Sequence, residues 1–376
     1  MPPRLSLLNL QRKIGKYMNR KKFDSLLQLA IEDGVSDIIL AVGEAPMFRY
    51  SGTLIDIKSE PLEARDTELI ARLLLQHRFE DLSTFTASDV AYELEDIGRF
   101  RASVFKQRNL FRIVLRVIPV EIRTFTDLHL PTEIASLADL TRGLILVTGA
   151  TGQGKSTTIS ALIEQINRTR KAHIITVEDP VEFTYHKARS LITQREIGED
   201  VTDYQSALRQ ALRQSPDVIM IGEIRDAATF EAVLTAAETG HLVISAIHTT
   251  DAQKTFGRIL GFYNEQERQS LRERLANTLA AILSLRLLSS IKGGERIPAI
   301  EILRMNTTIA ECLRNPDRLS EITNYMEKGR DYYGMRTFDQ HIVDLYQAGL
   351  IDIETARTAA SRPTEVERTL TLEGSD

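Results

Sequence analysis

The sequence predicts an α/β fold with a parallel sheet at its centre, a small α+β domain before it and a helical region after it. Three observations carry this prediction. Between residues 143 and 250, apolar strand-like runs alternate with helix-like stretches, the pattern of parallel βαβ units. A glycine-rich segment, Gly149-Ala-Thr-Gly-Gln-Gly-Lys-Ser156, separates the first of those runs from a helix-like stretch. The first third of the chain instead carries short runs that alternate apolar with polar.

In chain order, residues 1–22 hold Arg4, Arg12, Lys13, Lys16, Arg20, Lys21 and Lys22, with no acid and with Leu5, Leu7, Leu8, Leu10, Ile14, Tyr17 and Met18 between them. Two readings stand: a basic amphipathic helix that touches anionic lipid or an acidic partner, or a locally packed terminal extension. Residues 23–118 form the small α+β domain, with a helix over Phe23–Ile31 and strands over Asp37–Val42, Phe100–Phe105 and Phe111–Val117. In the last two strands Arg101, Arg112 and Arg116 occupy the face opposite the apolar one, as in half-buried antiparallel strands. Pro119 and Pro131 mark a polar linker over 119–140. The core follows over 141–262, with strands at Leu144–Thr148, His173–Val177, Val218–Ile221 and Leu242–Ile247. Over 263–376 the spacing of Leu271, Leu275, Leu279, Ile282 and Leu285 predicts a helical subdomain.

Composition narrows the function. The 376 residues are 43% hydrophobic, enough for two cores, and the net charge of −5 argues against general nucleic-acid binding. No run of 18 apolar residues is present and no cleavable signal opens the chain, so a cytoplasmic protein is expected. Cys312, the only cysteine, excludes an internal disulfide and a multi-cysteine zinc site.

Chemistry concentrates at the strand ends, where open α/β sheets bind ligands. The glycines at 149, 152 and 154 let backbone amides turn toward phosphate oxygens, Lys155 reaches the β and γ phosphates, and the Ser156 hydroxyl suits Mg2+. After the second strand, Val177-Glu-Asp-Pro-Val-Glu-Phe183 places Glu178, Asp179 and Glu182 in a loop. They either hold Mg2+ and the attacking water or form a solvated acidic turn. The third strand ends in Glu223, the pattern of a Walker B strand, where a glutamate activates water or binds the magnesium shell. The alternative is an exposed pair with Arg225. His248, at the end of the fourth strand, either senses the γ phosphate or is a structural histidine. Arg209 and Arg213, four apart on one helix, and Arg99, Arg101, Arg112, Arg116 and Arg258 are candidates for the further positive charge that phosphoryl transfer needs.

Taken together, GATGQGKSTT, ITVEDPVEF, LRQALRQSPDVIMIGEIRD and AAETGHLVISAIHTT resemble the phosphate loop, Asp box, Walker B segment and His box of the secretion ATPase superfamily. The resemblance is greatest to the type IV pilus retraction ATPases, the PilT and PilU group. It extends to DGVSDIIL, GRFRASVFKQRN and GMRTFDQHIVDLYQAGLID. The resemblance implies a homohexameric ring with a PAS-like N-terminal domain and a RecA-like core. Nucleotide would bind between the two, and ATP hydrolysis with Mg2+ would drive an inner-membrane platform protein from the cytoplasmic face. Carried onto this sequence, Gly149, Thr151, Gly152, Gln153, Gly154, Lys155, Ser156 and Thr157 surround the phosphates, with Ser156 and Glu223 at the metal. Glu182 and Glu223 align water, Glu178 and Asp179 complete the site, His248 lies by the γ phosphate, and Arg101 and Arg258 are candidate trans arginines.

Two departures set the direction. A lone Cys312 replaces the four-cysteine zinc motif usual in pilus-extension and type II secretion ATPases. Thr308-Ile-Ala-Glu-Cys-Leu-Arg314 stands where the retraction family carries AIRNLIRE. With Lys106-Gln-Arg-Asn109, this leans toward PilU-like accessory motors that act with a second retraction ATPase. A type IVB secretion ATPase and a weakly active nucleotide-binding scaffold are the competing readings.

Overall fold

The computed structural model of the chain contains two compact units, Met1–Glu121 with Pro180–Thr184 and Ile122–Asp179 with Tyr185–Asp376. The structure describes residues 18–50, 53–76, 84–94, 97–118, 121–293 and 296–373. Most of the basic segment proposed over 1–22, up to residue 17, and the first two linker positions lie outside them.

The first unit runs α1 (Arg20–Glu32), β1 (Asp37–Ala41), β2 (Met47–Tyr50), β3 (Thr53–Asp56), α2 (Ala64–Leu75), β4 (Ala87–Leu94), β5 (Gly98–Gln107) and β6 (Leu110–Ile118). Asn19 starts α1 by accepting a hydrogen bond from the Lys22 amide at 3.0 Å, which satisfies one of the free N–H groups of the first turn. The strands form one antiparallel sheet in the order β3-β2-β1-β6-β5-β4. As alternation predicts, Phe100, Ala102 and Val104 of β5 and Ile113 and Leu115 of β6 are buried with Phe23, Leu26 and Leu27 of α1 and Ile70 and Leu74 of α2.

The second unit opens with a 3-10 turn at Thr132–Asp139. It continues through β7 (Gly143–Thr148), α3 (Lys155–Thr169), β8 (His173–Glu178), β9 (Leu191–Glu196), α4 (Tyr204–Ala211), β10 (Val218–Ile221), α5 (Ala227–Glu238), β11 (Leu242–Ile247), α6 (Ala252–Leu260) and α7 (Glu265–Thr278). Next come β12 (Leu279–Ser289) and β13 (Arg296–Arg304). Helices α8 (Thr307–Arg314), α9 (Ile322–Lys328), α10 (Arg330–Tyr333), α11 (Phe338–Gln347), α12 (Ile353–Ala359) and α13 (Pro363–Glu373) follow. The sheet order is β13-β12-β7-β11-β10-β8-β9, parallel throughout except for the β12–β13 pair.

Both faces of this sheet are covered, which is why its inner strands β7, β10 and β11 are nearly continuous, fully buried apolar runs. Leu144, Leu146, Ile219, Ile221 and Val243 pack toward α4, α5, α6 and α7. Ile145, Val147, Val218, Met220 and Ile244 pack toward α3 and the 3-10 turn.

The helical reading of 263–376 needs correction at its start. The helix α7 ends at Thr278, and Leu279, Ile282 and Leu285 lie on β12, parallel to β7 on one side and antiparallel to β13 on the other. A short, nearly continuous apolar run satisfies helical and strand spacing alike, and the vacant edge of β7 decides for the strand. From Thr307 onward the elements are helices, and α11 to α13 pack against the far ends of β12 and β13.

Candidate active site

The glycine-rich segment is the turn between β7 and α3. Gly152 and Gly154 hold φ of +77° and +88°, where residues with a Cβ are strained, and a Cβ on Gly149 would come within 2.9 Å of the Leu285 carbonyl oxygen. Gly154 caps α3 without a side-chain bond, so the positive end of the helix stands at the loop with Ser156 exposed in its first turn.

Three neighbouring strand ends meet beside this loop. Lys155 is buried, and its Nζ donates to the carbonyl oxygens of Gly149 at 2.9 Å and Ala150 at 3.0 Å and lies 3.4 Å from His248 Nδ1. His248 follows β11, and its Nε2 is 2.6 Å from Glu223 Oε2, two residues past β10. Because an ammonium only donates, His248 Nδ1 is the acceptor, which leaves the Nε2–H to donate to Glu223. The other Glu223 oxygen accepts from Arg225 Nε at 2.5 Å, and Arg225 Nη1 stands 3.9 Å from Asp179 Oδ2 past the end of β8. Glu223 is thus paired to Arg225 through one oxygen and to His248 through the other, and it is only partly exposed.

Burial pushes the Glu223 carboxyl up, but hydrogen bonds from His248 and Arg225 outweigh it and hold the carboxyl below the usual range. Glu223 is ionised at neutral pH and can accept a proton. Removing the Arg225 guanidinium lifts one of the lowering influences. In Arg225→Ala the acid limb of the kcat–pH profile moves to higher pH, and an unmoved limb would detach Arg225 from the acid's titration. Tyr204 closes the group from below: burial first, then the charges of Asp179 and Glu223, push its hydroxyl well above the usual phenol range. A Cβ on Gly222, just past β10, would lie 3.0 Å from that hydroxyl, a tight approach that glycine avoids.

The other predicted residues make contacts of their own. Glu178 is buried and accepts from Thr176 Oγ1 at 2.8 Å and Gln194 Nε2 at 3.3 Å, on β8 and β9. Glu182 belongs to the first unit, where Arg101 Nη1 lies 3.4 Å from its Oε1 and Arg101 also meets Asp89 at 3.3 Å. Arg258 is exposed on α6 and stacks over Phe262 at 4.9 Å. Thr151 is exposed at the tip of the loop.

Gln153 shows what sequence reasoning missed. Beyond Ser284, which pairs with Thr148, β12 outruns β7, and the Gln153 side-chain oxygen accepts the Leu287 amide at 2.5 Å on that free edge. Arg296 Nη1 adds a bond to the Gly152 carbonyl at 3.4 Å. The loop is thus docked on β12. With about 1 kcal/mol in such a hydrogen bond, Gln153→Ala is expected to weaken nucleotide binding by roughly fivefold. It should also speed amide exchange at Leu287, and titration of a fluorescent nucleotide alongside hydrogen exchange checks both. A cavity of about 310 Å³ opens next to Gly154, lined by Arg123, Asp127, His129, Thr157, Thr158, Leu287, Arg296 and Pro298. Its walls come from four separate stretches of chain, which no local pattern joins.

A phosphate-type loop on a parallel sheet, with a lysine, histidine and glutamate at successive strand ends, defines an ATP-hydrolysing P-loop protein with a RecA-like core. The chain belongs to the type II/IV secretion system protein family, whose profile matches residues 16–359. It is 37% identical over 339 residues to the type IV pilus retractation ATPase PilT of Pseudomonas aeruginosa, covering 90% of this chain and 98% of that protein. It is 36% identical over 336 residues to the type IV pilus ATPase PilU of the same organism, covering 89% and 87%. Among solved structures, the pilus retraction motor PilT with bound ADP superposes with a TM-score of 0.84 at 39% identity, over 92% of this chain and 98% of that one. The ATPase DotB of Yersinia pseudotuberculosis superposes with a TM-score of 0.76 at 26% identity, over 93% and 95%.

Proposed function

We propose that this chain is a motor subunit that hydrolyses ATP to power type IV pilus retraction. It works as a homohexamer on an inner-membrane platform protein, at the cytoplasmic face, together with a second retraction ATPase. The observation that carries the chemistry is the unbroken line from Lys155 through His248 to Glu223 beside the glycine-rich loop. Similarity to PilT and PilU over about nine-tenths of the chain supports the biological direction. The replacement of AIRNLIRE by Thr308–Arg314 supports the accessory, PilU-like role.

Each residue has a task in this reading. Lys155 gives up the Gly149 and Ala150 carbonyls for β- and γ-phosphate oxygens, and the amides at the start of α3 bind the remaining phosphate charge. Ser156 and Glu223 hold Mg2+, which when bound neutralises charge on the phosphates. Glu223 orients the attacking water and takes its proton, and His248 registers the movement of Lys155 toward the γ phosphate. The cavity beside Gly154 accommodates the base and ribose, with Arg123, His129 and Arg296 at its wall. Asp179 keeps Arg225 in place, while Arg101, paired with Glu182, and Arg258 are offered to a neighbouring subunit. Among the described residues no helix is long and apolar enough to cross a membrane, which suits a motor that docks on a membrane partner.

The test is Mg-dependent ATP turnover and mass of the purified assembly, with pilus retraction measured in cells lacking the protein, with and without the second motor. Turnover by a six-subunit particle, and pili that form but retract poorly, are expected. A ring that binds nucleotide without turning it over would make the chain a regulatory scaffold. Co-purification with a secretion core complex in place of a pilus platform would move it to a type IVB system.

A further inference from the structure

Glu301 stands in Arg296-Ile-Pro-Ala-Ile-Glu-Ile-Leu-Arg304, an otherwise apolar strand, and is only 7% exposed. A carboxylate so placed is costly unless it is hydrogen-bonded. Its Oε1 accepts two hydrogen bonds, from the Ala252 amide at 2.7 Å and from Ser284 Oγ at 3.0 Å. Both donors matter by their position. Ala252 is the first residue of α6, and only Thr249, Thr250 and Asp251 separate it from His248. Ser284 lies on β12 opposite Glu301 in register and pairs on its other side with Thr148, the last residue before the phosphate loop. One carboxylate oxygen thus joins the turn that follows His248 to the strand that flanks the root of the loop. The charged groups facing it are Asp251 of the α6 cap and Arg286 of β12.

We infer that Glu301 is a positioning residue for ATP hydrolysis: it anchors the turn between His248 and α6 on β12 and so holds His248 in line between Lys155 and Glu223. The inference rests on the ATPase reading of the site. Glu301 touches neither the loop nor the reacting groups, so its loss acts on alignment and leaves the phosphate-binding amides in place. Misalignment of about 1 Å costs up to a hundredfold in rate.

The experiment uses the full-length assembled protein and compares wild type with Glu301→Gln, Glu301→Ala and Glu301→Asp in ATP turnover, nucleotide affinity and amide exchange at Ala252. Glu301→Ala is expected to lower kcat by about 10- to 100-fold with KM for ATP changed less than about twofold, and to speed exchange at Ala252. Glu301→Gln keeps the accepting oxygen and should restore kcat to within about threefold of wild type. Glu301→Asp keeps the charge but withdraws it from the Ala252 amide, so it should resemble Glu301→Ala; it carries the test if the alanine variant does not fold. Normal kcat in a folded Glu301→Ala or Glu301→Asp overturns the inference, as does an equal loss in Glu301→Gln. Absence of turnover in the wild type overturns the ATPase reading itself, and faster exchange at Ala252 in Glu301→Asp would then still report the tether.

Discussion

Replacing Glu223 by glutamine is expected to lower kcat for ATP by a factor of roughly 100 to 10,000 while the protein still binds nucleotide. The amide is the same size as the carboxylate and its oxygen still accepts from His248 Nε2, so the chain of contacts from Lys155 is preserved. What disappears is the basic carboxylate, including the second oxygen that accepts from Arg225, where the glutamine NH2 cannot accept. In the native site that carboxylate is ionised, because His248 and Arg225 together overcome the penalty of burial. The groups proposed to bind phosphate, Lys155 and the amides at the start of α3, are untouched, so affinity for ATP should move far less than turnover. Single-turnover hydrolysis and titration with a fluorescent ATP analogue separate the two. A variant that hydrolyses ATP normally would remove Glu223 from the reaction and leave its pair with Arg225 as a structural contact.

The second large effect concerns stability and pH. Burial pushes the Glu301 carboxyl up to about 7 from its ordinary 4.5; the bonds from Ala252 and Ser284 pull it down, and Asp251 and Arg286 act in opposite directions. Below pH 4.5 both the folded and unfolded chains hold the proton. As pH rises toward 7 the unfolded chain loses it first, so folding is progressively disfavoured, and above 7 the difference stays constant. At about 1.4 kcal/mol per pH unit, the loss across this window is of order 3 kcal/mol. Glu301→Gln cannot titrate. Its stability relative to wild type should therefore rise by of order 3 kcal/mol between pH 4.5 and pH 8. Urea unfolding of the two proteins across that range measures it, and parallel curves would show that the carboxyl is not linked to folding.

Gln153 and Glu301 mark where the sequence stops being legible. Glu223 and His248 were readable because each follows an apolar run whose length and neighbours place it on the sheet's binding edge. The loop motif likewise contains its own geometry, since its glycines and lysine lie within eight consecutive residues. Gln153 belongs to that motif, yet its partner Leu287 is 134 residues away on a strand that helical spacing disguised. Glu301 is an acid within an apolar strand. Its use depends on Ala252 and Ser284, 49 and 17 residues distant. Glu182 is a different case: next to Glu178 and Asp179 in sequence, it is grouped with the first compact unit, where it meets Arg101.

By itself the sequence determined the α/β core, the phosphate loop, the order of the acids and histidine at the strand ends, and the family to which these belong. Those features are local: they follow from spacing within a motif and from which residues must be buried along a single strand or helix. Tertiary structure alone decided that β12 and β13 complete the sheet, that Gln153 docks the loop on β12, and that Glu301 joins β12 to the turn after His248. Each of these depends on which edge is left open and which buried N–H or hydroxyl lacks a partner, and those vacancies exist only once distant segments have packed together.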